Sequence, residues 1–270
     1  MIDFHTHTNN SLDCKRTLDE LCEVAIRNGI SGIAVTDHAE TRYYHEHNVV
    51  NNMRNSIADV KKAKQKYNIN IFQGIELGSP FYDPQKTKEY LSLCDYDVVL
   101  ASNHCVPFEG DVHSFAAIDF SDMPRDIIEG LLDSYFDQMT EMAQKGDYDI
   151  LCHITYPFRY INGRYGRNID VMKYQSRIYD IFEILISRQK SLEINTASIG
   201  GRYKDFDCPC PDEYFIQKYY DIGGRLVTLG SDTHTHTVAN GFDKVVPMLK
   251  KIGFDKITYF EKRKMFFEFI

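Results

Sequence analysis

The sequence predicts an α/β fold in which parallel strands alternate with helices through one domain, residues 1–270. Three observations support this prediction. Short apolar runs recur along the chain, longer amphipathic segments separate them, and neither a long linker nor a shift in composition interrupts the series. Seven or eight strand–helix units close most readily into a barrel, which is therefore expected, with an open doubly wound sheet as the alternative fold.

The predicted strands are short, rich in β-branched and aromatic residues and almost continuously apolar, as is typical of strands that are buried on both faces. In chain order they are residues 2–5, 32–36, 69–75, 97–101, 148–152, 191–195 and 225–229.

Amphipathic segments between these strands predict helices. In the first, Thr17 and Glu20 have the spacing of a capping box, and Gly29 follows the last helical residue. Pro124 suits the first turn of a later helix. The stretch 107–123 has no clear element and is expected to be a loop or lid. The predicted helices are residues 17–28, 52–67, 124–145, 171–190, 212–220 and 242–251.

Composition restricts the class of function. The chain has 31 Lys and Arg residues against 39 Asp and Glu residues and no basic block, so nucleic acid is not an expected partner. Its longest apolar stretches fall far short of the ~20 residues that span a bilayer, and residues 1–7 lack the features of a signal peptide. We therefore expect a cytoplasmic protein that does not associate with membranes.

Metal-capable side chains stand at six of the seven predicted strand ends, and the carboxyl ends of parallel strands form one rim of the sheet. A lone histidine at a strand end is ordinarily a hydrogen-bonded core residue, but six such ends together indicate a shared site. Imidazoles and carboxylates are ligands of Zn, Mn or Fe, and their number suits two or three divalent ions. The candidates are His5, His7, Asp13, His38, Glu76, His104, His153, Asp232 and His234.

This pattern resembles the PHP (polymerase and histidinol phosphatase) superfamily of metallohydrolases. The motifs that carry the resemblance are His5-Thr6-His7, Thr36-Asp37-His38, Glu76, His104, His153 and Asp232-Thr233-His234. It implies a distorted, TIM-like (β/α)7 barrel with a trinuclear metal site. The implied ligand sets are His5, His7, Glu76 and Asp232 for one ion, Glu76, His104 and His153 for the second, and Asp13, His38 and His234 for the third.

Within the superfamily, the C-terminal third is similar to the single-function histidinol-phosphatase branch, through residues 192–196 (LEINT) and 229–234 (LGSDTH). Two departures from the pattern of that branch lie near the expected opening of the substrate site. The basic residue after Thr196 is delayed to Arg202, and an acidic residue often found after His153 is missing. The resemblance implies a metal-dependent phosphomonoesterase of histidine biosynthesis, which hydrolyses L-histidinol phosphate to L-histidinol and phosphate.

Residues at the same rim are candidates for the reaction itself. Arg159 and Arg202 follow the fifth and sixth strands and are expected to bind the substrate phosphate. Glu76 is expected to bridge two metals, and Asp232 or His234 to supply a proton to the leaving group.

The substrate's amine needs an acidic or carbonyl partner, for which Glu40, Glu109 and Asp111 remain open candidates. Two alternatives to the function itself also stay open. One is a PHP-family phosphoesterase that acts on another substrate, a phosphotyrosine protein or a nucleotide phosphate; the other is a metal-binding module without catalysis.

Overall fold

The computed structural model of the protein describes residues 1–42, 48–201, 203, 206–235 and 237–270. Seven parallel strands form a nearly closed barrel surrounded by helices, which confirms the predicted fold class. Around the barrel the strands stand in chain order: β1 (Ile2–Thr6), β2 (Gly32–Val35), β4 (Asn70–Gly78), β5 (Val98–Ser102), β8 (Ile150–Leu151), β9 (Ser191–Asn195) and β10 (Val227–Gly230).

The first and last of these strands meet at a seam that closes the barrel. The backbone amide of Asp232 donates to the carbonyl of His5 at 2.8 Å, and the amide of His7 donates to the carbonyl of Thr233 at 3.2 Å. The seam therefore brings the candidate ligands His5 and His7 next to Asp232, which lies far from them in the sequence.

Each predicted helix is present to within a few residues at its ends. Thr17 and Glu20 form the predicted capping box: the Thr17 hydroxyl accepts from the Glu20 amide, and the Thr17 amide donates to the Glu20 carboxylate at 2.8 Å. None of the described helices combines the length and apolar character needed to cross a bilayer. The helices are α1 (Leu18–Arg27), α2 (Val49–Lys66), α3 (Pro84–Leu91), α4 (Arg125–Lys145), α5 (Tyr156–Ile161), α6 (Gln175–Arg188), α7 (Glu213–Asp221) and α8 (Phe242–Ile252), with a 3₁₀ turn at Val171–Tyr174 before α6.

Several short elements of the structure were not predicted from the sequence. Strand β3 (His38–Glu40) pairs with β4, and this pairing prolongs β4 beyond the predicted end of the third strand. The prediction that 107–123 lacks regular structure was wrong, because β6 (Cys105–Phe108) and β7 (Asp111–Ser114) form a hairpin. Its two-residue turn is Glu109–Gly110, with positive φ at both residues.

A C-terminal hairpin covers the end of the barrel opposite the candidate site. It consists of β11 (Lys256–Glu261) and β12 (Lys264–Phe269). Phe260 packs among apolar residues of the barrel strands, and Arg263 in the turn pairs with the buried Asp149 at 3.0 Å. The hairpin thus closes the amino-terminal end, while the carboxyl-terminal end stays free for a site.

Candidate metal centre

All nine predicted ligands lie at the carboxyl-terminal end of the barrel or in the loops that follow its strands. His5 and Glu76 point from within β1 and β4, and His38 is the first residue of β3. His153 and Asp232 each follow their strand by two residues and have φ of 27° and 50°. Non-glycine residues seldom adopt positive φ, and such strain is concentrated at functional sites.

The first group of ligands surrounds one oxygen of Glu76. Nε2 of His5 and Nε2 of His7 lie 3.4 Å and 3.6 Å from Oε2 of Glu76. The same two nitrogens lie 3.7 Å and 3.3 Å from Oδ1 of Asp232. Ligand atoms about 2.0–2.1 Å from a tetrahedral zinc ion stand about 3.4 Å apart, so these four distances match the spacing between ligands of one zinc ion.

The second group surrounds the other oxygen of Glu76. Nε2 of His104 lies 3.3 Å from Oε1 of Glu76, and Nε2 of His153 lies 3.1 Å from it. The two ring nitrogens are 3.3 Å apart. Glu76 therefore presents one carboxylate oxygen to each group, which is the arrangement of a bridging ligand.

The third group joins Asp13, His38 and His234. Oδ1 of Asp13 lies 3.2 Å from Nε2 of His234 and 3.6 Å from Nε2 of His38, and the two imidazole nitrogens are 3.2 Å apart. Asp13 is the most exposed member, with 62% of its side chain accessible. Nδ1 of His38 lies 2.6 Å from Glu76, so this group also borders the shared carboxylate.

Asp37, in the motif with His38, holds the loop that carries Asp13. Its carboxylate accepts from the Thr8 amide at 2.7 Å and from the Ser11 hydroxyl at 2.8 Å. The Ser11 hydroxyl also lies 3.0 Å from Nδ1 of His7. One buried carboxylate thus fixes the path of the loop and, through Ser11, the ring of a candidate ligand.

The donor set fits divalent cations better than it fits a bare protein interior. Within the described part of the chain, Nε2 of His5, Nε2 of His7 and Oε2 of Glu76 are buried and make no hydrogen bond of normal geometry, although Nδ1 of His38 lies 2.6 Å from that oxygen. Buried polar atoms are nearly always paired, and an unmet one is costly. Here the three atoms face one another at the distances that separate the ligands of a metal ion, so one bound cation would contact all three.

Burial and charge act in opposite directions on the pKa values of the ligands. Burial alone raises the pKa of Glu76, but the imidazoles of His5 and His38 outweigh it and hold that pKa well below its usual range. Burial lowers the pKa of His7, and the neighbouring imidazoles lower it further. An ionised Glu76 and a neutral His7 are the forms that bind metals. At His5 the carboxylates of Glu193 and Glu76 outweigh burial and raise the pKa well above its usual value, so that this ring loses a proton when it binds a metal.

Two buried glutamates contact the far side of ligand imidazoles. Glu193 lies 2.5 Å from Nδ1 of His5, and Glu40 lies 2.5 Å from Nδ1 of His104. Neither contact was predicted from the sequence, where Glu193 has no expected role and Glu40 is a candidate partner for the substrate's amine. The other two candidates for binding the substrate's amine are Glu109 and Asp111. Both lie in the β6–β7 hairpin, and Asp111 forms an ion pair with Arg42.

A cavity of about 360 Å³ opens onto the ligand groups. Arg159, on α5, is buried in its wall and donates hydrogen bonds to Asp232 at 3.3 Å, Asn195 at 2.8 Å and Ser198 at 3.1 Å. Arg202 lies outside the described residues, as do His45, His47 and His236. The lining residues are Leu12, Asp13, His38, Glu40, His104, Ser114, Ala116, Tyr156, Arg159, Tyr160, Asp232 and His234.

The amino-acid sequence is similar to those of known proteins over nearly its whole length. The chain is 26% identical to the probable histidinol-phosphatase of Thermotoga maritima, across 96% of this chain and 95% of the relative. It is 24% identical to the histidinol-phosphatase of Lactococcus lactis, across 98% and 96% of the two chains.

The fold is also shared with a solved structure. The crystal structure of histidinol phosphate phosphatase from Lactococcus lactis, complexed with zinc, L-histidinol and phosphate, has a TM-score of 0.76 at 21% identity, with 98% of each chain covered. The family model of the PHP domain matches residues 3–197, which include seven of the nine candidate ligands. This protein therefore belongs to the PHP domain family.

Proposed function

We propose that the protein is a metal-dependent phosphomonoesterase that hydrolyses L-histidinol phosphate to L-histidinol and phosphate. The observation that carries the proposal is the convergence of three ligand groups on Glu76, beside a buried arginine, in one cavity. Relatives that match nearly the whole chain bear the name histidinol-phosphatase, which supports the choice of substrate.

Two or three divalent ions, zinc, manganese or iron, complete this site in the proposal. The ligand sets are His5, His7, Glu76 and Asp232, then Glu76, His104 and His153, and finally Asp13, His38 and His234. When bound, such cations polarise phosphoryl oxygens and make a water-derived nucleophile available at neutral pH.

Arg159 binds the phosphate in this proposal. A guanidinium has five N–H groups, and within the described residues three of them are used by Asp232, Asn195 and Ser198. The guanidinium also contacts the thiol of Cys210, and its remaining N–H groups bind the oxygens of a phosphate in the bidentate arrangement that arginine favours. Asp232, Asn195 and Ser198, which accept hydrogen bonds from Arg159, also hold its guanidinium group in place.

Asp232 moves the proton. Its Oδ2 accepts from Arg159 and from Asn195 at 3.3 Å and 3.2 Å, so the group stands as a carboxylate acceptor rather than a donor. It takes a proton from the attacking water and returns it to the alkoxide oxygen of the leaving alcohol. Nδ1 of His234 lies 3.0 Å from the carbonyl of Asp232, which keeps that turn of the chain in place.

The whole chain, residues 1–270, acts as one domain in this proposal. Ligands from β1 and ligands that follow β10 belong to the same group, so neither half of the chain contains a complete site.

A panel of phosphomonoesters tests the proposed substrate. The protein is loaded with Mn²⁺ or Zn²⁺ and assayed with L-histidinol phosphate, phosphotyrosine, a nucleoside monophosphate and a generic aryl phosphate. We expect kcat/KM to be highest for L-histidinol phosphate, since its amine and imidazole contribute binding energy that the aryl ester lacks. A preference for any other ester would overturn the assignment.

Arg159→Ala is expected to lower kcat/KM for L-histidinol phosphate by roughly ten- to a hundredfold, because a charge-assisted hydrogen bond contributes on the order of 1.5–3 kcal/mol. Arg177→Ala is the matched control, since Arg177 pairs with Asp133 and Asp137 on the surface and should leave the rate unchanged. Steady-state kinetics then separate KM from kcat. If Arg159→Ala behaves like the control, Arg159 does not bind the phosphate.

A further inference from the structure

Two buried glutamates each contact an imidazole that in turn faces Glu76, and each such glutamate–imidazole pair is called an arm. The first arm begins at Glu193. This residue is buried in β9, and its Oε1 lies 2.5 Å from Nδ1 of His5. Its Oε2 accepts from the His153 backbone amide at 2.9 Å and from the Asn195 side chain at 3.2 Å. On the other side of the imidazole, Nε2 of His5 faces Oε2 of Glu76. Glu193 therefore contacts both the ring of one ligand and the backbone of another.

The second arm begins at Glu40, which is buried in β3. Its Oε1 lies 2.5 Å from Nδ1 of His104, whose Nε2 faces Oε1 of Glu76 at 3.3 Å. The two arms thus enter from different strands and end on different oxygens of the same carboxylate. Each arm belongs to one of the two ligand groups that share Glu76.

A glycine stands beside each glutamate on the neighbouring strand. Glu40 is in register with Gly78 of β4, and a Cβ atom at Gly78 would lie 1.9 Å from Oε1 of Glu40. A Cβ atom at Gly230 of β10 would lie 2.4 Å from Oε1 of Glu193 and 2.5 Å from Cβ of His5. Both glycines have ordinary φ values, so these positions require space rather than an unusual backbone conformation.

We infer that Glu193 and Glu40 are positioning residues of the metal centre, and that Gly230 and Gly78 leave the space these carboxylates occupy. The inference deepens the proposed function and rests on its metal site. A carboxylate at Nδ1 fixes the tautomer with the proton on that nitrogen, directs the Nε2 lone pair towards the metal, and makes the imidazole a stronger ligand.

Packing alone does not account for an acid at Glu40. Burial of a carboxylate is costly unless its oxygens are paired, and within the described residues Oε2 of Glu40 makes no hydrogen bond. A neutral side chain would fill the same space without that penalty. Among the described residues, the imidazole of His104 is thus the hydrogen-bond partner of the Glu40 carboxylate.

Zinc affinity, measured by competition with a chromogenic chelator, tests the inference without reference to catalysis. We expect Glu40→Ala and Glu193→Ala each to weaken the binding of at least one ion by roughly 10- to 100-fold. Glu40→Gln and Glu193→Gln should lose less, since the amide oxygen still accepts from Nδ1–H. The visible spectrum of the Co²⁺-loaded protein should change in the Ala variants, because it reports the geometry of the ligands.

The glycines provide a second test that removes no polar group. As a single change, Gly78→Ala should weaken zinc binding by displacing Glu40. In the Glu40→Ala background it should weaken zinc binding by less than about threefold further. The two effects should not add, because mutations that act through one contact are not additive. Asp97→Asn is the control: Asp97 is also buried, but it lies at the opposite end of the barrel, where it accepts from the Gln73 and Lys262 amides. This variant should bind zinc normally.

Wild-type affinity and spectrum in the glutamate variants, or additive effects of Gly78→Ala and Glu40→Ala, would overturn the inference. If the Ala variants do not fold, as judged by circular dichroism, the Gln variants and Gly78→Ala decide the question. A wild-type protein that binds zinc but does not hydrolyse L-histidinol phosphate contradicts the proposed function and leaves the positioning roles intact.

Discussion

Glu76→Gln is expected to remove metal and activity together, and to cost more than the loss of any single histidine ligand. Glu76 is fully buried and places one oxygen in each of two ligand groups. An amide of the same shape has no charge to offset two cations and cannot present two equivalent oxygens. Since loss of one member of a buried charged pair costs about 3–5 kcal/mol, kcat/KM should fall roughly 10²- to 10⁴-fold.

Elemental analysis and steady-state kinetics of the same preparations measure both losses. His234→Ala is the comparison, because His234 belongs to one group only and is partly exposed. This variant should keep more metal and more activity than Glu76→Gln. A Glu76→Gln protein with near-normal metal content and rate would show that Glu76 does not bridge ions.

Prolonged chelation is expected to abolish activity, and Mn²⁺, Zn²⁺ or Fe²⁺ to restore it. The loaded protein should contain two to three ions per chain, as counted by elemental analysis. Removal of the ions should also lower the melting temperature, because a ligand that binds only the folded state at 1,000 times its Kd stabilises that state by about 4 kcal/mol. Full turnover by metal-free protein would contradict the mechanism.

Melting curves before and after reloading provide the control for chelation. Activity that fails to return while the melting temperature recovers would point to an ion of the wrong kind. Activity and melting temperature that return together identify the ions as part of both the fold and the site.

The convergence of the candidate ligands was predictable because a parallel barrel imposes a simple rule on the sequence. Each strand ends at the same rim, so His5, Glu76 and Asp232 could be placed together from their positions after apolar runs alone. The same rule placed Arg159 near the site, and the structure brings it within hydrogen-bonding distance of Asp232. Arg202 as a phosphate ligand stays a prediction.

The role of Glu193 could not be read from the sequence. It stands inside a buried strand between apolar neighbours, and only the register of β9 against β10 and the closure against β1 bring it to His5. Likewise β3 has three residues, too few for a periodic pattern, and its strand geometry comes from pairing with β4. The contacts that position ligands are therefore tertiary, whereas the ligands themselves follow the strand pattern.

The seam between β1 and β10 also sets the time at which the site can form. Asp3 and Ser231, hydrogen-bonded across that seam, are 228 residues apart. A ribosome adding roughly 5–20 residues per second needs on the order of 10–50 s to make that length of chain. Throughout that interval His5 and His7 are present without Asp232, so the nascent chain offers an incoming ion only a partial set of ligands. We therefore expect the proposed ions to bind as a full set only late in biogenesis, after the barrel has closed.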